Sequence, residues 1–299
     1  MIDLHVHSTA SDGSLTPLEI LELACEKGVK AISITDHDSI DGIREIHDHI
    51  HKFSLEVISG VEISCEPPEE FQTAGSIHLL GYGFSIYDKT LNQTLDQAKI
   101  SRKQRNPRII QALNRLGIEI SLQEVQERFK AEQTGRPHIA QMLMEKGAVS
   151  SFKQAFDQYL GKGKPAYVGK FKISCKKAIQ IILNAGGIPV LAHPGLIDPG
   201  PERDLASFVQ TLAGFGLQGM EVYYTDHDLK VTADLKSLAK RNKLLITGGS
   251  DFHGSFNTGV SLGRGRENIR VDYSLFKGLT DRLAAIRNLH ARLHILEPK

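Results

Sequence analysis

The chain has 299 residues, 40% of them hydrophobic and 24% charged, a balance that suits a folded globular protein with a large core. Its 36 Lys and Arg residues nearly cancel 35 Asp and Glu, and a net charge of +1 excludes a global field that would recruit nucleic acid or a membrane. There is no signal-like N-terminus and no apolar run near the roughly 20 residues of a membrane span, and Cys25, Cys65 and Cys175 lack C-x-x-C spacing; a cytoplasmic protein with reduced thiols is expected.

Seven short β-type runs follow in order: MIDLHVH, AISITDH, LEVISGVEIS, SIHLLGYGF, IPVLAHP, GMEVYY and LLITGGSDFH. Amphipathic stretches at 16–27, 174–185, 203–213 and 228–240 lie between them. This alternation predicts an α/β fold of βα units, and seven runs favour a barrel over an open sheet. The third and fourth runs have no helix between them, so an antiparallel pair is expected there.

Residues 90–165 break the rhythm with helical periodicity and many Lys, Arg, Gln and Glu residues. The expected organisation is a barrel of 1–95 and 164–299, with a helical insertion, 96–163, capping one mouth. Asn106-Pro107 reads equally as a new helix start or as a kink in one long helix. GKGKPAYVGK (161–170) lacks P-loop spacing and reads as the return linker, with Lys164 and Tyr167 as candidate substrate contacts.

The chemistry collects at the ends of the apolar runs. Asp3, His5 and His7 alternate along the first strand and so project from one face. Later runs finish in His37 between Asp36 and Asp38, in Glu62, His78 and His193, and in Asp251 with His253; Asp12 follows the first run closely. In a βα barrel the C-terminal strand ends surround one site, so these scattered residues are expected to converge. Histidine and carboxylate without thiolate suit manganese, zinc or iron(II), and nine side chains exceed one ion's shell, so two or three divalent ions are expected.

HVHSTASDG, TDHD, GVEIS, IHLLGYG, AHPG and GGSDFH, in this order and spacing, resemble the polymerase-and-histidinol-phosphatase (PHP) family. The resemblance covers nearly the whole chain and implies a distorted seven-stranded (β/α) barrel whose trinuclear metal centre, most simply manganese, hydrolyses phosphoesters. By position it implies that His5, His7, Glu62 and Asp251 hold one ion. Glu62 would bridge to a second, held with His78 and His193, and Asp12, His37 and His253 would hold a third. Glu62, His193 and Asp251 are the expected catalytic core. Asp3, Asp36 and Asp38 are candidates to accept the far N–H of the ligating rings.

Within the family, the sequence is most similar to small bacterial members that act on nucleotides and short RNA ends. Arg102 and Arg105 lie one helical turn apart, and Arg136 and His138 flank a proline at a helix start; all four are candidate substrate-binding residues, arginine being suited to bidentate phosphate contacts. The expected reaction releases the 3'-phosphate of a nucleoside 3',5'-bisphosphate by attack of a metal-bridging hydroxide, with 5'-to-3' trimming of short 5'-phosphorylated RNA by the same chemistry. The alternatives are a histidinol-phosphate type of phosphatase and a non-catalytic metal-binding module; an amidohydrolase would not need the third ligand set. No membrane and no obligate protein partner are indicated. His227 is expected as a helix cap or surface group, and His47, His49, His51, His290 and His294 as solvated.

Overall fold

The computed structural model describes residues 1–73, 76–129, 135–169, 171–201 and 203–296, and within these not the side chains of Arg102 and of 289–296. The chain opens with β1 (Ile2–Val6), α1 (Pro17–Glu26), β2 (Ala31–Ile34) and α2 (Asp41–Ile46). Thr16 starts α1 with a capping box: its hydroxyl accepts from Glu19 N–H at 3.3 Å while Glu19 Oε2 accepts from Thr16 N–H at 2.7 Å. Next come β3 (Glu56–Val57), β4 (Gly60–Glu66) and β5 (Ile77–Tyr82).

LEVISGVEIS is thus two strands rather than one. β3 pairs with β2 in a three-stranded sheet of order β1-β2-β3, whereas β4 enters a second sheet. Gly60 sits at the break because a Cβ there would lie 2.1 Å from Ser33 Oγ. As expected, β4 and β5 pair antiparallel, Glu62 facing Leu80 and Ser64 facing His78.

Four helices follow: α3 (Lys89–Arg115), α4 (Leu122–Phe129), α5 (Arg136–Glu145) and the short α6 (Phe152–Ala155), which continues into a π-helical turn, Phe156–Leu160. α3 begins before the expected boundary at 96, with Asp88 accepting from Leu91 N–H at 2.8 Å. Pro107 lies inside it, which settles the two readings of Asn106-Pro107 in favour of one continuous helix. An apolar cluster of Ile109, Leu113, Val125, Ile139 and Leu143 packs these helices separately from the core around the strands.

The chain then adds β6 (Ile173–Ser174), α7 (Cys175–Asn184), β7 (Ile188–Leu191), α8 (Leu205–Gly214), β8 (Gly219–Tyr224), α9 (Leu229–Arg241), β9 (Leu245–Gly249) and α10 (Tyr273–Leu296). The second sheet runs β6-β4-β5-β7-β8-β9, parallel except where β5 meets β4 and β7. Hydrogen bonds beyond the strands join the two sheets on both sides. Asp38 N–H donates to Glu62 O at 2.8 Å and Glu62 N–H to Asp36 O at 3.2 Å; Asp251 N–H donates to His5 O and His7 N–H to Phe252 O, both at 2.9 Å. Among the described residues, no helix is long and apolar enough to cross a membrane.

Candidate metal centre

β1 divides its side chains by alternation: Ile2, Leu4 and Val6 enter apolar clusters, while Asp3, His5 and His7 face the polar interior, all fully buried. The backbone there is close-packed, since a Cβ on Gly249 would lie 2.4 Å from His5 Cβ. Six histidines and three carboxylates from six strands and their loops meet in one cluster. Glu62 is its hub. Its Oε2 lies 2.7 Å from His37 Nδ1, 3.3 Å from His7 Nε2 and 3.5 Å from His5 Nε2. Its Oε1 lies 2.9 Å from His78 Nδ1 and 3.1 Å from His193 Nε2.

Asp251 Oδ1 faces His7 Nε2 at 3.1 Å and His5 Nε2 at 3.3 Å. Asp12 completes the far side, 3.4 Å from His253 Nε2 and 3.9 Å from His37 Nε2. Donor atoms within 4.8 Å of one another form three overlapping groups: His7, Asp12, His37 and His253; His5, His7 and Asp251; and His37, Glu62 and His78. His7 and His37 each belong to two of them, and His193 closes the third side with Nε2 3.3 Å from His78 Nδ1.

A cation fits this donor set. His5 Nε2, His7 Nε2, His37 Nδ1, Asp12 Oδ1 and Glu62 Oε2 are buried yet make no hydrogen bond among the described residues, a costly state for five polar atoms unless something positive lies between them. The electrostatics agree. Burial favours neutral imidazole, but Glu221, Asp251 and Glu62 hold His5 well above its ordinary pKa, and Asp251 and Glu62 raise His7 to about 10. Burial likewise opposes the Glu62 carboxylate, yet His37, His78 and His5 hold it well below the usual range. Asp12 and Asp251 are lowered in the same way by facing histidines.

The surrounding carboxylates differ from expectation. Asp3 accepts from Ser250 N–H at 2.9 Å and Gly263 N–H at 2.7 Å, and Asp36 from Ser8 N–H at 2.8 Å and Ser11 Oγ at 2.6 Å, so these two fasten loops instead of imidazole rings. Asp38 accepts from Ser64 N–H at 2.7 Å. A carboxylate that does meet a ring is Glu221, fully buried on β8 with Oε1 3.0 Å from His5 Nδ1. Tyr224 donates to Asp251 Oδ2 at 3.0 Å. Neither stood out in GMEVYY, although a lone Glu inside an apolar run was a signal. Tyr224 could not be placed by alternation because β8 slips register between Glu221, opposite Thr247, and Tyr223, opposite Gly248; such a bulge re-aims the residues beyond it. His227 is buried rather than a surface group: Nδ1 lies 2.9 Å from Val222 O, and Nε2 accepts from Gly195 N–H at 3.1 Å.

Beside the cluster, a cleft of about 870 Å³ is lined by Ser76, just before β5, by Glu66 at the end of β4, and by Arg105, Arg136, Lys162 and Lys172. Arg136 lies between the rings of Phe156 and Tyr167 and donates to Leu160 O at 3.0 Å. Burial lowers the Lys172 pKa, and neighbouring Lys162 and Arg136 add to that against the opposing Cys65 and Glu66. His138 is fully buried instead of facing the cleft; its Nδ1 accepts from Gly135 N–H at 2.9 Å, and its ring packs on Phe129 and Phe256. It shapes the turn that presents Arg136. The Arg102 side chain lies outside the described residues.

A model of the PHP domain matches residues 3–165. The chain belongs to the PHP family. This PHP protein is 30% identical over 263 residues to the 3',5'-nucleoside bisphosphate phosphatase of Chromobacterium violaceum, covering 88% of this chain and 90% of the relative. It is 33% identical over 253 residues to the 5'-3' exoribonuclease Rnm of Escherichia coli, covering 84% of each. Its fold matches a Bifidobacterium adolescentis protein assigned as a metal-dependent phosphoesterase, with a TM-score of 0.80 at 28% identity over 94% of this chain and 95% of the other. The PHP protein is therefore a metal-dependent phosphoesterase, a hydrolase.

Proposed function

We propose that this PHP phosphoesterase removes the 3'-phosphate of nucleoside 3',5'-bisphosphates and, by the same chemistry, trims short 5'-phosphorylated RNA. The observation that carries the reading is the cationic cleft next to the histidine cluster. Ser76 at its edge is two residues, or about 7 Å of strand, from His78. Gly135, beside Arg136, would place a Cβ 4.0 Å from Asp12 Cβ, so the arginine leaves the cluster's rim toward the cleft. A substrate with two phosphates suits this layout, one at the cluster and one between Arg136, Arg105 and Lys172, where an anion relieves the crowding of positive charge. Four basic side chains against two acidic ones, Glu66 and Glu69, line the cleft, a balance that suits a cationic small metabolite such as histidinol phosphate less well.

In this reading His5, His7, Asp251 and Glu62 hold one ion, Glu62, His78 and His193 a second, and Asp12, His37 and His253 a third. The division of Glu62 supports its bridging role, since each oxygen faces a different histidine set. Divalent ions bound there, manganese first among the candidates, supply an activated water nucleophile and neutralise the phosphoryl oxygens. Tyr224 donates to Asp251 Oδ2, leaving Oδ1 to face His5 and His7, the oxygen that would hold an ion there. We further read the two sheets, tied at Asp38–Glu62 and His5–Asp251, as one distorted seven-stranded barrel, with 96–163 as a helical insertion over its mouth.

The test is phosphate release by manganese-loaded protein from adenosine 3',5'-bisphosphate, AMP, histidinol phosphate and a 5'-phosphorylated dinucleotide. Preference for the bisphosphate supports the reading. Faster cleavage of the dinucleotide makes the enzyme an exonuclease first, and preference for histidinol phosphate overturns it.

A further inference from the structure

Glu221 touches two residues of the cluster that lie far apart in the sequence. Oε1 lies 3.0 Å from His5 Nδ1, and Oε2 accepts the backbone N–H of His193 at 2.8 Å. His193 is held in the left-handed region, at φ 29° and ψ 55°, a conformation a non-glycine residue keeps only when its surroundings fix it. Both partners present N–H groups to the carboxylate, and a carboxylate, having only acceptors, satisfies both at once. Resting on the metal assignment above, we propose that Glu221 is a positioning residue for the metal centre. It fixes the proton of His5 on Nδ1, so that Nε2 is the free donor facing Glu62 and Asp251, and it pins the strained His193 backbone that turns the second imidazole onto Glu62.

Substitution by glutamine separates this role from simple packing. The His193 N–H can only donate, so the amide oxygen must serve it, which leaves the amide NH₂ against His5 Nδ1. That nitrogen must then accept, and the His5 proton moves to Nε2, the nitrogen an ion needs. Shape and volume barely change.

The experiment measures manganese bound per chain and its affinity by equilibrium dialysis, alongside the thermal midpoint of the chelated protein, for wild type, Glu221→Gln and Tyr82→Phe. Tyr82 donates another buried hydrogen bond nearby, to Leu4 O at 2.7 Å, and serves as the packing control. Glu221→Gln is expected to bind metal roughly 10- to 100-fold more weakly, with its chelated midpoint near wild type; Tyr82→Phe is expected to lower the midpoint and leave metal binding unchanged. Wild-type affinity in Glu221→Gln overturns the proposal, as does weakened binding in Tyr82→Phe of equal size. Should Glu221→Gln fail to fold, ¹⁵N-histidine NMR of zinc-loaded wild type decides: His5 bound through Nε2 with Nδ1 protonated is expected, and His5 bound through Nδ1 overturns it. A wild-type protein that binds no ions would defeat the metal assignment instead.

Discussion

The histidine cluster and the cleft beside it lie a few residues apart along β4 and β5, yet they are built in opposite ways. In the cluster, donors on strand ends are pressed to within 2.7–3.9 Å of their carboxylates. Asp38, His193 and Asp251 there adopt left-handed backbones at φ 53°, 29° and 55°. Each has its N–H taken, by Glu62 O, Glu221 Oε2 and His5 O respectively, which holds conformations costing about 1–3 kcal/mol each. The cleft draws its cations from a helix, a helix start and an irregular loop, and it opens to solvent. A reacting centre needs fixed geometry on rigid elements, whereas a subsite for a second phosphate needs only charge at the right distance.

The sharpest way to break this contrast is to remove the hub. Glu62→Ala is expected to lower kcat on the order of 10³-fold or more at saturating manganese, measured as phosphate release; a wild-type rate would end the bridging assignment. Next in size is pH. His7, raised from 6.5 to about 10, stabilises the metal-free fold fully below pH 6.5, and that contribution is lost as pH rises through 10. Metal binding displaces the same protons and strengthens over that window. The gap between thermal midpoints of manganese-loaded and chelated protein should therefore widen from pH 6.5 to 10, and a constant gap would uncouple His7 from the ions.

The cleft should answer differently. Arg136→Ala is expected to raise KM for the bisphosphate by roughly 10-fold or more with kcat within a few-fold, since a charge-assisted hydrogen bond contributes about 1.5–3 kcal/mol; an equal loss in kcat would move Arg136 into the reacting centre. Smallest is Tyr224→Phe, which removes one hydrogen bond to Asp251. A fall in kcat/KM of roughly 2- to 10-fold is expected, and none at all would mean that bond does not shape the site.

The cluster was legible because its residues sit at strand ends, where alternation and the βα rule fix direction and place: His5 and His7 share a face, and Asp251 and His253 return to it. Helices α1, α7, α8 and α9 lay close to their amphipathic stretches. What escaped depended on contacts no local pattern carries. Glu221 looked like one acid in an apolar strand, and only the fold shows that it meets both His5 and His193. A bulge hid Tyr224, and the break at Gly60 reflects Ser33, distant in sequence. His138 offered a polar ring beside an arginine, but its partners, Phe129 and Phe256, come from a helix end and a loop that periodicity does not bring together.

The apolar cluster of Ile109, Leu113, Val125, Ile139 and Leu143 gives the helical segment a packing of its own. Changes there need not be matched by changes among the strands, so the segment can drift while hydrolysis continues. If Arg105 and Arg136 receive the second phosphate as proposed, a segment with its own packing can change that contact without disturbing the strands that carry the histidines.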